Sequence, residues 1–367
     1  MFPPINKEEF LNLSNLEKIG WAYDSQDMNR EAVARVMTVQ KNSYRISDGN
    51  IEYLAHLSGK FLNQVTDSLN FPAVGDWVDV HKLQDEQKAV VNRVLPRKSQ
   101  FVRQAAGTKV EAQMVAANMD IVLIVSSLNH DLNERRMERY LLSAYESGAT
   151  PVIVLTKKDE CAADEVADVM ARVEEVAIGV PVVAISNVTC DGIDDLMAHL
   201  PAGQTAVLLG SSGVGKSTLV NTLLDRAVQE TKDIRAADSK GRHTTTHREL
   251  FVLPNGALLI DTPGMRELQL WEGESSMDSA FSDVETFERE CKFNDCRHDT
   301  EPGCRVREAL ENGELSEERF QSYRKLQREL AFERRKQDQR AYLEEKNRWK
   351  KLKKQRQDHD HFLKKRR

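Results

Sequence analysis

Between Arg30 and Arg97 apolar residues recur in short alternating runs: AVARVMTVQ, SYRIS, NIEYLAHL, WVDVHKL and AVVNRVL. Alternation with period two predicts strands that bury one face. The turn signals SDGN and PAVGD separate them. Five or so short strands in about 70 residues predict a small closed or partly closed barrel, with an OB-fold as the expected form. After LPRKSQFVRQAAG the pattern changes. DIVLIVSS (120–127), PVIVLTKKD (151–159), PVVAIS (181–186), TAVLLG (205–210) and ALLIDTPG (257–264) are continuous apolar runs. Most alternate with amphipathic helical segments such as ERRMERYLLSAYES and ADEVADVMARVEEV, which predicts a parallel sheet covered on both faces. Ahead of the barrel, Phe10, Leu13, Leu16 and Ile19 fall at helical spacing. At the far end a charged helix is expected from about Ser316 to near Lys354. The expected organisation is a helical extension (1–29), the barrel (30–110), an α/β domain (111–275), a Cys/His module (276–330) and a basic helical tail (331–367).

Charge sharpens this picture. The 367 residues carry a net −6, but residues 324–367 hold 18 Lys and Arg against 7 Asp and Glu. The tail is therefore +11 and the body −17, which points to a polyanionic partner reached through the tail. The bland alternative is a solvated helix laced with charge pairs. No apolar run has the roughly 18–20 residues of a membrane span. The opening MFPPINKEEF lacks a signal peptide's basic and apolar regions. The expectation is a cytoplasmic protein without a membrane partner.

GSSGVGKS, from Gly210 to Ser217, fits G-x-x-x-x-G-K-[ST] between a predicted strand and a predicted helix. Gly210, Gly213 and Gly215 let the backbone turn inward. The N–H groups of Ser211, Ser212 and Val214 then face phosphate oxygens at a helix N-terminus. Lys216 brings charge to the β- and γ-phosphates, Ser217 offers its hydroxyl to Mg²⁺, and Thr218 faces the α-phosphate. Asp261 and Gly264 of DTPG end another strand. The Asp reaches Mg²⁺ through water, and the Gly N–H reaches a γ-phosphate. In TKKD (Thr156, Lys157, Lys158, Asp159), Asp159 accepts from the guanine N1–H and amine, and the Lys157 stem lies along the base. Ser186 opens a loop, SNVTCDG, suited to close over the base.

The order is permuted. TKKD and the base loop precede the phosphate loop, and DTPG comes last. A compact domain with neighbouring termini tolerates such a cut. GRHTTTHREL (Gly241–Leu250) is the expected first switch, with Thr244 or Thr245 as a Mg²⁺ ligand. Met265 stands where Ras-like enzymes place a water-orienting Gln. Slow intrinsic hydrolysis follows, unless His243 or His247 enters the site.

Cys291, Cys296, His298 and Cys304 fall within fourteen residues. Three thiolates and one imidazole make a closed tetrahedral set for structural Zn²⁺. Cysteines outside an oxidising compartment favour metal over disulfides.

Together TKKD, GSSGVGKS, GRHTTT, DTPG, PAVGDWV, LPRKS, CKFNDCRHDTEPGC and RFQSYRKL resemble the circularly permuted small-ribosomal-subunit biogenesis GTPases of bacteria. The resemblance covers roughly 30–330. It implies an OB-fold, a permuted P-loop GTPase domain and an α-helical zinc module. It implies GTP hydrolysis stimulated by the small ribosomal subunit, contact with its rRNA, and action late in its maturation. A switch His is implied in catalysis, which favours His243. A second reading is an RNA-binding assembly factor whose turnover only times its release. A monomer is expected.

Overall fold

The computed structural model describes residues 14–22, 29–40, 43–65, 67–104, 112–129, 132–231, 248–261, 277, 280–332 and 335. The chain divides into two compact units, Met1–Gln269 and Leu270–Arg367.

The first unit opens with a one-turn helix, α1 (Asn15–Lys18), whose Ser14 and Glu17 form a reciprocal capping box. The predicted barrel follows: β1 (Val33–Val39), β2 (Tyr44–Ser47), β3 (Glu52–Leu57), β4 (Trp77–Leu83) and β5 (Lys88–Val94). They run in the order β1-β2-β3-β5-β4, and β4 pairs back onto β1 to close the cylinder. In β3 the alternation is exact in effect: Tyr53 and Ala55 point inward while Glu52, Leu54 and His56 face out. Ala34, Val36, Ile46, Val78, Val80 and Val91 fill the interior with them. A short helix, α2 (Gly59–Gln64), capped by the Ser58 hydroxyl, joins β3 to β4. The PAVGDWV and LPRKS segments meet at the barrel end. There Arg97 donates to both oxygens of the fully buried Asp76, at 2.8 and 2.7 Å, and to the carbonyls of Leu69 and Phe71. A hairpin of β6 (Gln100–Gln104) and β7 (Ala112–Ala117) leads onward.

The α/β part contains β8 (Ile121–Ser127), α3 (Glu134–Ser147), β9 (Thr150–Thr156), α4 (Ala163–Val176), β10 (Val182–Ala184), α5 (Ile193–Ala198), β11 (Thr205–Gly210), α6 (Lys216–Thr231), β12 (Glu249–Val252) and β13 (Leu258–Asp261). The parallel strands lie in the order β10-β9-β8-β11-β13. Val122 and Ile124 of β8 pack toward Met137 and Leu141 of α3 and Val173 of α4. Ile121, Leu123 and Val125 pack toward Leu196 of α5 and Leu219 and Leu223 of α6. Both faces are buried, which is why the strand reads as a continuous apolar run.

The five expected strands are parallel, and an antiparallel strand that the apolar runs did not announce extends their sheet. β12 pairs antiparallel with β13 across a Leu253–Ala257 turn, and it pairs antiparallel with β1 of the barrel through Thr38 and Glu249. One 11-stranded sheet thus runs from β10 to the barrel. Glu249 and Leu250, expected in a switch loop, are strand residues. The signal was present in FVLPNGALL, an Asn-Gly turn between apolar runs, the usual mark of a hairpin.

Arg35 of β1 is 1% exposed at this joint. It donates to the carbonyls of Ile19 (2.6 Å), Gly75 (3.2 Å) and Asn118 (3.1 Å) and to the Thr205 hydroxyl (2.9 Å). One guanidinium therefore ties the N-terminal segment, the barrel and β11 together, and its bonds offset the cost of burying the charge.

In the second unit α7 (Ser282–Arg289), α8 (Arg305–Glu311) and a helix over 317–332, α9, surround Phe281, Val284, Val306, Leu315 and Phe320. Arg319 pairs with both Asp283 oxygens at 3.0 and 3.1 Å and covers the Phe281 ring at 4.2 Å. The expected tail beyond 335, and residues 1–13, lie outside the described residues. Among those described, no helix is long and apolar enough to cross a membrane.

Candidate nucleotide site and metal centre

β11 delivers Gly210 at its C-terminal end, and the loop turns through Gly213 (φ 82°) and Gly215 (φ 92°) into α6. The backbone explains the glycines. A Cβ at Gly210 would sit 2.2 Å from the Val125 carbonyl oxygen of the neighbouring strand. The Lys216 ammonium donates to the carbonyls of Gly210 (2.7 Å) and Ser211 (2.5 Å), so the loop itself holds the cation in place. Val214 is buried, whereas Ser212, Gly213, Ser217 and Thr218 face solvent.

β9 delivers TKKD to the same edge. Thr156 is fully buried, and its hydroxyl lies 2.6 Å from the Val214 carbonyl and 3.2 Å from that of Ser126. Lys157 adopts a left-handed φ of 65°, which turns the chain so that Asp159 is exposed. The Ser186 hydroxyl donates to Asp159 Oδ1 at 2.5 Å and accepts the N–H groups of Val188 and Thr189. Lys158 pairs with Asp191 at 2.8 Å, and that hydrogen bond holds the Asp191 carboxyl below its ordinary range. The two loops expected to grip the base are thus bonded to each other. Asn187 adds a longer contact, 3.4 Å, to the Gly215 carbonyl.

Asp261 ends β13, two strands from β8 in the sheet order. Gly264, Met265, His243, Thr244, Thr245 and His247 lie outside the described residues. Two residues that sequence reasoning passed over stand beside the phosphate loop. Arg136 of α3 donates to the Ser211 hydroxyl at 2.6 Å, and the Tyr140 hydroxyl lies 3.4 Å from the same atom.

The second unit brings all four expected metal ligands together. Their ligand atoms lie within 4.8 Å of one another. His298 Nδ1 is 3.4 Å from Cys304 Sγ and 3.7 Å from Cys291 Sγ, and the two sulfurs are 4.0 Å apart. A tetrahedral ion with bonds of ~2.3 Å to sulfur requires edges of roughly 3.8 Å. The outer ring nitrogen, Nε2, is 2.9 Å from Glu288, whose other oxygen accepts from the Tyr323 hydroxyl at 2.8 Å. That carboxylate fixes the ring with Nδ1 toward the sulfurs, the usual second layer of a metal site. Cys304 caps α8, its sulfur accepting the Arg307 N–H at 3.5 Å. Burial pushes the Cys296 thiol up to about 11, and the Cys304 and Cys291 sulfurs add to the rise. A cation reverses that by binding the thiolates. The donor set fits one metal ion.

A parallel sheet with TKKD, the base loop and the phosphate loop at one edge, in permuted order, defines a circularly permuted P-loop GTPase. A sequence model described as RsgA GTPase matches residues 94–271. Another, described as ABC transporter, matches 193–359, a span that holds the phosphate loop but not TKKD or Ser186. Small ribosomal subunit biogenesis GTPase RsgA 1 of Oceanobacillus iheyensis is 45% identical over 331 residues, 90% of this chain and 93% of that protein. The like-named protein of Listeria innocua is 42% identical over 94% of this chain and 97% of its own length. The crystal structure of YjeQ from Thermotoga maritima superposes with a TM-score of 0.60 at 28% identity, covering 82% of this chain and 98% of that one. The structure of YloQ, a circularly permuted GTPase, gives 0.61 over 85% and 98% at 23% identity. The chain belongs to the RsgA family of small ribosomal subunit biogenesis GTPases.

Base selection tests the site directly. Two hydrogen bonds to an ionised acceptor discriminate by on the order of 100-fold or more. Asp159→Asn is expected to lower GTP and GDP affinity by about that factor, read by fluorescent-nucleotide titration, with the circular dichroism spectrum unchanged. Equal affinity of the wild type for ATP and GTP contradicts the assignment.

Proposed function

We propose that this GTPase binds the small ribosomal subunit and its rRNA, acts late in that subunit's maturation, and leaves after GTP hydrolysis. The observation that carries the reading is 45% identity across 93% of a protein named for small ribosomal subunit biogenesis. The +11 charge of residues 324–367 supports contact with RNA phosphates.

The site residues take the following roles. Asp159 reads the guanine edge, the Lys157 stem flanks the base, and Ser186 orients Asp159. The N–H groups from Gly210 to Thr218 cradle the phosphates, and Lys216 places its charge on the β- and γ-oxygens. Ser217 and one of Thr244 and Thr245 would hold Mg²⁺, with Asp261 as its water-mediated partner. When bound, that ion neutralises charge on the phosphate oxygens. Gly264 gives its N–H to the γ-phosphate. Met265 can neither donate nor accept a proton, so the attacking water falls to His243, whose neutral ring can hydrogen-bond it. Contact with the subunit orders the switch and raises the rate by positioning.

Steady-state GTP hydrolysis is expected to be slow alone and to rise by at least about tenfold with purified small subunits, as for other partner-completed GTPases. His243→Ala keeps GTP affinity and loses the stimulation. No stimulation of the wild type overturns the proposal. A fully stimulated His243→Ala assigns the water to another group.

We assign the Cys/His centre to Zn²⁺, because a closed set of three sulfurs and one nitrogen leaves no position for water and suits a structural tetrahedral ion. Elemental analysis is expected to find one zinc per chain. Cys296→Ser loses it and unfolds the second unit while GTP affinity is retained. Protein purified without chelators and free of zinc contradicts the assignment.

A further inference from the structure

The C-terminal ends of β8 and β11 lie side by side, with Val125 opposite Gly210. The helices that follow them leave toward opposite faces, α3 on one side and α6 on the other. In an open α/β sheet the crevice at such a reversal is where ligands bind. Here Val125 and Ser126 of β8, Ser211 of the phosphate loop, and Arg136 and Tyr140 of α3 line a cavity at that point.

We infer that Arg136 is a positioning residue for GTP hydrolysis that acts through Ser211 on Lys216. Ser211 carries both cations. Its hydroxyl accepts from Arg136 Nη1 at 2.6 Å, and its carbonyl accepts from the Lys216 ammonium at 2.5 Å. The two bonds fix the residue from opposite ends. The hydroxyl bond sets the side chain, and the carbonyl then stays aimed at the ammonium. Lysine hangs on a flexible four-carbon stem, so the place of its charge depends on what its ammonium is tied to. Arginine is the better anchor for that task because its planar fork loses less freedom per bond.

Arg136 is itself held firmly. It lies in the first turn of α3, where Asn133 caps the helix and its side-chain oxygen accepts the Arg136 N–H at 3.0 Å. Tyr140, one turn on and 8% exposed, brings its hydroxyl to 3.4 Å from the Ser211 hydroxyl and closes the far side. The line from α3 to the phosphate-binding ammonium is therefore two hydrogen bonds long. Charge on the γ-phosphoryl oxygens is redistributed in the transition state, where a displaced cation costs rate more than binding.

The inference rests on the GTPase reading above, and its test separates the two. Arg136→Gln, Arg136→Lys, Ser211→Ala and the double variant Arg136→Gln/Ser211→Ala are made in the full chain. Steady-state GTP hydrolysis and fluorescent GDP titration are measured for each. Arg136→Gln and Ser211→Ala are each expected to lower kcat about tenfold, with KM and GDP affinity within about threefold of wild type. The double variant should be no slower than the slower single, because both remove one connection. Arg136→Lys, which keeps a donor on a more flexible stem, should recover the rate only in part. Wild-type turnover beside an unchanged kcat in Arg136→Gln overturns the inference and leaves the GTPase reading standing. So do losses that multiply in the double variant. A matched fall in GTP affinity, GDP affinity and unfolding midpoint at unchanged kcat also overturns it, and marks Arg136 as packing alone.

Discussion

The parallel pairing of β8 with β11 is the constraint on which the site depends. In chain order the guanine loops come first and the phosphate loop afterwards, so sequence proximity does not join them. Five paired positions, from Ile121 with Ala206 to Val125 with Gly210, place the two halves edge to edge. The approach is close enough that position 210 admits only glycine, since a Cβ would stand 2.2 Å from the Val125 carbonyl. Across this seam the buried Thr156 hydroxyl reaches the Val214 carbonyl at 2.6 Å. The loops assigned to base recognition and to phosphate binding are thereby parts of one body, although the chain builds them in reverse order.

The same sheet extends into the barrel. β12 follows the threonine-rich segment, and it pairs with β13 on one side and with β1 on the other. Arg248, just before it, donates to the Met114 carbonyl at 3.0 Å. Arg35 completes the joint from the barrel side with bonds to Ile19, Asn118 and Thr205. The barrel and the strand leading out of that segment are therefore parts of one sheet. The metal centre is built on different terms. Its ligands are local in sequence, and Glu288 and Tyr323 orient its histidine from two helices of the same unit.

Much of this was legible in the sequence, for physical reasons that differ by element. The barrel strands and the buried parallel strands declare themselves through period two and through unbroken apolar runs. GSSGVGKS, TKKD and the four metal ligands declare themselves because their chemistry demands fixed residue types at fixed spacing. β12 was obscured because four residues, ELFV, are too few for periodicity to count. Arg35 was hidden because an arginine in AVARVMTVQ reads as a solvent-facing strand position. It does face out of the barrel, but the N-terminal segment, Asn118 and β11 bury it there, and only the tertiary oxygens that accept its bonds explain why. Arg136 was hidden because an arginine on an amphipathic helix is ordinary. Its meaning comes from Ser211, which stands 75 positions away. The switch residues from His243 to Thr245, and Gly264, were assigned from motif alone and lie outside the described residues.

The central claim is that two halves in reversed order make one guanine-nucleotide site across the β8–β11 seam. The most direct measurement is GDP affinity after Thr156→Val, which keeps the shape and removes only the hydroxyl that reaches Val214 and Ser126. Losing that buried bond takes the hydroxyl donor from the Val214 carbonyl and is expected to weaken GDP by about tenfold or more. The bound-metal content and helical signal should be unchanged. Unchanged GDP affinity in a folded Thr156→Val protein would show that the two halves bind independently and contradict the account.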